Sequence, residues 1–220
     1  MDMIRGTGAS LAPDLLRALA AYRHRVFIET LGWELPTDNG LETDQFDGPD
    51  TAYVIARDEQ QEVCGCARLL PTTGPYLLAD VFPQLLHGAP PPRDPRVWEL
   101  SRFAAAGCGA PQAISRALEL QVTEHVLAHA LDHAAQHGVQ RFITVSPLGV
   151  ERLLRRLGVH SHRAGPPVVV GGHALFACWI EVDQQSLAAM GPFVRPTSAT
   201  VQPAHRASAG HRVAARQRWV

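Results

Sequence analysis

The stretch Val97 to Phe103, VWELSRF, most constrains the fold, because it sets Glu99, Ser101 and Arg102 inside an apolar run. It reads as a strand, and side chains alternate across a strand. Glu99 and Ser101 are therefore expected on one face, with Leu100 and Arg102 on the other. A carboxylate and a guanidinium taken out of water need partners or a chemical task.

The organisation around this strand follows from periodicity and breakers. Leu11 to Thr30 carries helical spacing of Leu15, Leu16, Leu19, Val26 and Phe27, with Pro13 suited to a first helical turn. Arg23 and Phe27 then lie one turn apart on one face. Residues 31–50 read as a loop. Thr51 to Arg57 and Glu62 to Leu70 read as an antiparallel strand pair joined by the turn DEQQ. GAPPPRDPR at 88–96 is excluded from regular structure. A Gly/Ala/Pro break follows VWELSRF, then a helix from Pro111 to His137, a strand from Gln140 to Ser146, a short helix over 149–157, and strands near 166–171 and 173–182. This order predicts an α/β protein, a three-layer αβα sandwich with a mixed central sheet. Residues 1–190 are expected to form a single domain. From 191 to 220 the chain is rich in Pro, Ala and Arg, which predicts a loosely held basic tail.

Composition narrows the function. The 220 residues are 46% hydrophobic and 19% charged, enough for one good core. A net charge of -1 argues against a nucleic-acid protein. Between residues 26 and 56 there are seven acids and no Lys or Arg, a lobe suited to a cationic small ligand or simply a solvated acidic loop. There is no lysine anywhere, which excludes a Schiff-base lysine and a Walker-type lysine. Cys64, Cys66, Cys108 and Cys178 have no CxxC spacing, so thiols in a reducing compartment are expected, and Cys64 and Cys66 are expected on one strand face. No charged-then-apolar leader and no apolar run of about 20 residues is present, which predicts a cytoplasmic protein that neither spans nor binds a membrane.

Arg23, Phe27 and Trp33, then Asp44 and Asp47 in LETDQFD, Arg68 in GCARLLPT, and Glu99 and Arg102 in VWELSRF together resemble the LuxI-type autoinducer synthases. The resemblance runs from Tyr22 through VWELSRF with its spacings intact, and more loosely through FITVSPLGVERLLRRLG at 142–158. It implies the GCN5-related N-acetyltransferase-like fold. The implied activity is the synthesis of N-acyl-homoserine lactone from S-adenosylmethionine (SAM), a substrate rather than a cofactor, and an acyl chain on acyl carrier protein. It further implies that Arg23, Phe27, Trp33, Asp44, Asp47 and Arg102 serve SAM, and that Leu77, Leu100, Ser101, Phe103, Thr144, Val145 and Ser146 line an acyl tunnel. Ser146 stands where family members preferring 3-oxo chains carry Thr. The nearest likeness is to Burkholderia-like synthases that favour an unsubstituted octanoyl chain.

The residues allow these roles alongside plainer ones. Catalytic roles fall to Glu99, Arg68, Asp44 and Asp47. Glu99 suits a base that deprotonates the SAM amine through a water, or a buried partner of Arg68 or Arg102. Asp44 and Asp47 suit direct contact with that amine, or anchoring of Arg23 and Arg68 in a network; a metal is the weaker reading, for want of a third ligand. Phe27 and Trp33 offer aromatic faces to adenine or sulfonium, or are core. Oxyanion donors would be backbone amides between Ser101 and Ala104 on a splayed strand. Arg102, Gly107 and Gly109 depart from the compact Q/R-x-x-G-x-G/A pyrophosphate loop of acetyl-coenzyme A users, which favours a carrier-protein donor. Arg152, Arg155 and Arg156 then read as a landing patch for an acidic carrier, or as a solvated helix face. His125, His129, His133 and His137 recur every four residues and read as a solvated face rather than a metal site. An acetyl-coenzyme A-dependent N-acetyltransferase leaves Trp33 and LETDQFD unexplained. A non-catalytic SAM- or acyl-binding sensor leaves unexplained why Glu99, Arg68 and both aspartates are all present.

Overall fold

The computed structural model describes residues 1–35, 37–106 and 116–194. Its centre is an eight-stranded sheet in the order β1-β4-β5-β6-β7-β10-β8, with β9 also paired to β10. The strands are β1 (Asp2–Thr7), β4 (Ala52–Arg57), β5 (Val63–Pro71), β6 (Val97–Ala105), β7 (Arg141–Pro147), β8 (Ser161–Arg163), β9 (Val168–Val170) and β10 (His173–Glu181). A two-stranded ribbon of β2 (Thr37–Asp38) and β3 (Leu41–Glu42) stands apart. Among the described strands only β6 and β7 run parallel. Helix α1 (Pro13–Arg23) packs on one face of the sheet, and α3 (Arg116–Gln136), α4 (Gly149–Arg156) and α5 (Gln184–Met190) on the other, which is the expected αβα sandwich.

The strands β4 and β5 are apolar on both sides because both faces are covered. Gly65 allows the close approach of α3: a Cβ there would sit 2.5 Å from Val122 Cγ1. The chain segment expected as one helix to Thr30 changes geometry at His24–Thr30 into a π-helix, a wider turn of the kind that collects at functional sites. Several elements carried too weak a pattern to be read from the sequence: the edge strand β1, the ribbon β2–β3 within the expected loop at 31–50, the three-residue β8, the four-residue α2 (Leu77–Asp80), and α5, whose cap is Asp183 accepting from the Ser186 amide at 2.9 Å. The first residues of the segment expected to be a loose tail are ordered. Gly191–Phe193 form a 3-10 turn, and Phe193 packs edge-on against His125 of α3. The remainder of the tail lies outside the described residues.

Two β-bulges overturn simple alternation. Opposite Ala67, β6 spends two residues, Arg102 and Phe103, and Arg102 takes φ 48°. A bulge re-aims the side chains around it. Arg102 therefore returns to the side of Ser101, not that of Leu100, and Phe103 joins Leu100 on the α3 side. A second bulge near Ala56 and Arg57 puts Cys64 into the α3-side core and Cys66 into the α1-side core, so these cysteines do not share a face. The strands β6 and β7 pair only from Val97 to Glu99 and then diverge. That divergence opens the sheet where VWELSRF carries its polar residues.

Candidate functional site

Six buried or nearly buried charged side chains meet on the α1 side of the opened sheet. Arg23, at the end of α1, grips Asp47 with both terminal nitrogens at 2.8 and 2.9 Å and donates through Nε to Glu42. Arg68 of β5 pairs with Asp44 and, at 3.2 Å, with Asp47. Arg102 donates to Glu42 and Asp44, both at 2.8 Å. Three cations against three anions make a neutral network, the arrangement in which buried charges can persist. The loop LETDQFD folds on itself to present it: the Phe46 amide donates to Asp44 Oδ1, and the Asp44 amide to Asp47 Oδ2, both at 2.9 Å. The Arg102 backbone conformation, costing about 1–3 kcal/mol for a non-glycine residue, is held by these ion pairs.

Burial pushes the Asp47 carboxyl up, but the hydrogen bonds and charge of Arg23, with Arg68, outweigh it and hold Asp47 well below the usual carboxylate range. Glu42 is lowered in the same way by Arg102 and Arg23 against its own burial. Tyr53 donates to Asp47 at 2.8 Å, and its own hydroxyl is pushed up by burial and by that carboxylate. Glu42 and Tyr53 were not singled out from the sequence. Glu42 was legible as the first acid of LETDQFD, whereas Tyr53 offered no signal. Arg68, fully buried, also donates through Nε to Ser101 Oγ at 3.1 Å, and its Nη2 has no hydrogen-bond partner.

A cavity of about 700 Å³ passes through the gap between β6 and β7. Phe27, Trp33, Asp44 and Arg102 stand at one end, Phe27 and Trp33 stacked with ring centroids 5.1 Å apart. All seven residues expected along an acyl tunnel line it: Leu77, Leu100, Ser101, Phe103, Thr144, Val145 and Ser146. On the α3 side the wall is completed by Leu127, Leu153, Leu154 and Ile180, none of them anticipated. The hydroxyls of Thr144 and Ser146 are 3.3 Å apart. Arg23 and Asp47 border a second cavity of about 310 Å³ behind the network, next to Tyr53.

Arg68 and Glu99 line neither cavity. Glu99 is fully buried, and it forms no ion pair with Arg68 or Arg102. Its Oε2 accepts from the Leu77 amide at 2.9 Å and its Oε1 from the Leu78 amide at 2.7 Å. Burial pushes its carboxyl up to about 7, against the two amides and the charges of Arg68 and Arg102.

Arg152, Arg155 and Arg156 are exposed on α4, whose other side contributes Val150, Leu153 and Leu154 to the cavity. The histidine ladder of α3 is not a solvated face throughout. His129 is 3% exposed with Nδ1 unpartnered, and burial with the His137 charge pushes His133 down to about 4. The helix turns this side towards β1, where Asp132 pairs with Arg5, and towards Trp98. Among the described residues no group of three or more His, Cys, Asp or Glu is placed to hold a metal. None of Cys64, Cys66 and Cys178 forms a disulfide; Cys108, Gly107 and Gly109 lie outside the described residues. No helix among those described is long and apolar enough to cross a membrane.

The sequence and fold have close counterparts. The autoinducer synthase family model matches residues 11–190. An acyl-homoserine-lactone synthase of Ralstonia solanacearum is 52% identical over 186 residues, covering 84% of this chain and 90% of its own. The crystal structure of TofI in a ternary complex with an inhibitor and MTA superposes with a TM-score of 0.76 at 45% identity, covering 87% of this chain and 97% of TofI. BjaI, a CoA-dependent acyl-homoserine lactone synthase solved with SAM and isopentyl-CoA, superposes equally well, with a TM-score of 0.76 at 26% identity over 87% of this chain and 88% of BjaI. An acyl-CoA N-acyltransferase from Pseudomonas aeruginosa, at 16% identity and a TM-score of 0.54 over 82% of this chain and 98% of its own, shares the fold alone. With a sheet opened beside a buried charge network, and with relatives matched over most of their length, the chain belongs to the autoinducer synthase family as an acyl-homoserine-lactone synthase.

Proposed function

We propose that the chain transfers an unsubstituted, medium-length acyl group, octanoyl, from acyl carrier protein to the amine of SAM and then closes the lactone. One observation carries this reading: a single cavity through the sheet joins an aromatic and charged end to an apolar end, as two such different substrates require. In the acylation, the amine nitrogen bonds to the thioester carbonyl carbon, the carbon–sulfur bond breaks, and the carrier thiol leaves with a proton. In the closure, a SAM carboxylate oxygen attacks its own γ-carbon and methylthioadenosine departs with the electron pair of the sulfonium bond. The second step has a good leaving group, so the protein's work falls mainly on the first.

Trp33 and Phe27 fit the adenine or the sulfonium, since a cation over an aromatic face gains about 0.5–2 kcal/mol. Arg23, Asp44, Asp47 and Arg102 shape that end, with Arg68 fully buried behind it and holding Asp44 and Asp47 in place. Glu99, with its carboxyl near 7, suits a base acting through a water on an amine at neutral pH. Backbone amides from Ser101 to Ala104, released from pairing with β7, suit the developing oxyanion. Arg152, Arg155 and Arg156 suit an acidic carrier protein, with both substrates drawn from the cytoplasm. The CoA-dependence of BjaI makes acyl-coenzyme A the rival donor.

Incubation of purified protein with SAM and octanoyl carrier protein tests this. The expected products are methylthioadenosine, free carrier thiol and octanoyl-homoserine lactone. Thiol release from acetyl-coenzyme A without consumption of SAM would indicate a general N-acetyltransferase instead. Binding without turnover would indicate a sensor.

A further inference from the structure

Helix α2 begins with nothing of its own to hold it. Tyr76 at its N-cap is extended, makes no side-chain bond to the helix, and sends its hydroxyl to the Pro92 carbonyl at 2.8 Å. The first amides of a helix have no partner within it, and buried ones must find an acceptor elsewhere. Those of Leu77 and Leu78 find it in Glu99, on β6 and more than twenty residues away in sequence. Leu77, with Val81 and Phe82 just beyond the helix, forms part of the cavity wall.

We propose that Glu99 is a positioning residue for acyl selectivity: by accepting from the Leu77 and Leu78 amides it fixes α2 against the cavity, and so sets which acyl chain the cavity accepts. The inference rests on the cavity's being the acyl site, and it is separable from any proton that Glu99 takes. The chemistry requires a carboxylate. Its two oxygens accept two amides at once, whereas a carboxamide offers one oxygen and turns an N–H group towards the other amide. An aspartate is one methylene shorter and cannot keep both bonds without moving the helix. When Glu99 is ionised the bonds are charge-assisted, and therefore stronger than those between neutral groups.

Two variants separate the roles. Glu99→Gln disturbs both cap and base. Leu77→Pro removes one donor and leaves the Glu99 carboxylate in place; proline is favoured at the first helical position, and the extended Tyr76 before it suits a pre-proline residue. Leu77→Ala is the control, losing the same side chain but keeping the amide. The measurement is kcat/KM for hexanoyl, octanoyl, decanoyl and dodecanoyl carrier protein, with KM for SAM and the pH dependence of kcat. Leu77→Pro is expected to shift the octanoyl-to-dodecanoyl ratio about fivefold or more beyond Leu77→Ala, the worth of one hydrogen bond. Its KM for SAM should stay that of the wild type, and its kcat should still rise with pH but with the limb moved upward, because the Leu77 amide is one of the groups that hold the Glu99 carboxyl down. Glu99→Gln should shift the ratio in the same direction and speed hydrogen exchange at the Leu77 and Leu78 amides. If Glu99→Gln slows every chain length equally and Leu77→Pro selects as Leu77→Ala does, the inference is overturned. A wild-type protein that makes no lactone from any donor would overturn the functional reading first, and this inference with it.

Discussion

The two ends of the cavity are built by opposite means. At the end marked by Phe27, Trp33, Asp44 and Arg102, six side chains satisfy one another through charge, and their geometry is locked by a loop seven residues long. At the apolar end, side chains from α2, α3, α4 and the strands β6, β7, β9 and β10 meet without ion pairs, and shape decides what fits. The first end therefore fails abruptly when any member is removed, whereas the second changes by degrees.

The sharpest break should come from Arg68→Ala, which leaves Asp44 and Asp47 short of a buried cation. Loss of one partner from a buried ion-pair network costs roughly 3–5 kcal/mol. Activity should vanish and SAM affinity fall together, as read by urea unfolding and calorimetry; unchanged SAM affinity would detach the network from the ligand.

Glu99→Gln should slow acylation on the order of 10²-fold, the size expected for loss of a general base. Wild-type kcat should rise with pH through about 7, as the Glu99 carboxyl ionises, and the variant should lose that limb. Stability should separate the two regions by sign. Asp47 and Glu42 are lowered in the folded protein, so their contribution is present at neutral pH and is lost as pH falls below the ordinary carboxylate range. Glu99 is raised, so the folded protein holds its proton more tightly and stability declines as pH climbs from 4.5 to about 7. Unfolding free energies across pH should show that decline in the wild type and not in Glu99→Gln.

At the apolar end, Leu127→Phe narrows the cavity from the α3 side. It should cut kcat/KM for the longest accepted chain about tenfold, two methylenes' worth of burial at ~0.8 kcal/mol each, and leave KM for SAM unchanged. An equal loss for every chain length would mean that the cavity does not measure the acyl group there. The smallest effect belongs outside the cavity: reversing the charge of Arg155 and Arg156 should raise KM for octanoyl carrier protein several-fold and flatten its salt dependence. If octanoyl-coenzyme A is the better donor, or the reversal changes nothing, the patch is only a solvated helix face.

Much of the molecule was legible in its sequence, for reasons that differ by element. The strands β4, β5 and β6 showed themselves because strands covered on both faces are largely apolar on both. The Arg and Asp positions stood out because charge inside or beside such strands is rare. β1 escaped notice because an edge strand is held by backbone bonds to β4, which any side chains permit. The helix α2 escaped because its cap comes from Glu99 on another strand. The faces of Arg102 and Cys64 were misassigned because a bulge adds one residue to a strand and reverses the alternation beyond it. His129 was placed in solvent because a helical wheel ranks faces by polarity and cannot see that β1 and Trp98 cover this one.

By itself the sequence determined which residues carry charge and which segments must be buried, since spacing and hydrophobicity act along the chain. Only the tertiary structure decided that β6 parts from β7 after Glu99, that Arg102 turns towards Asp44, and that Glu99 meets the amides of α2. Those outcomes depend on strand register and on contacts between distant segments, and no local pattern of residues encodes them.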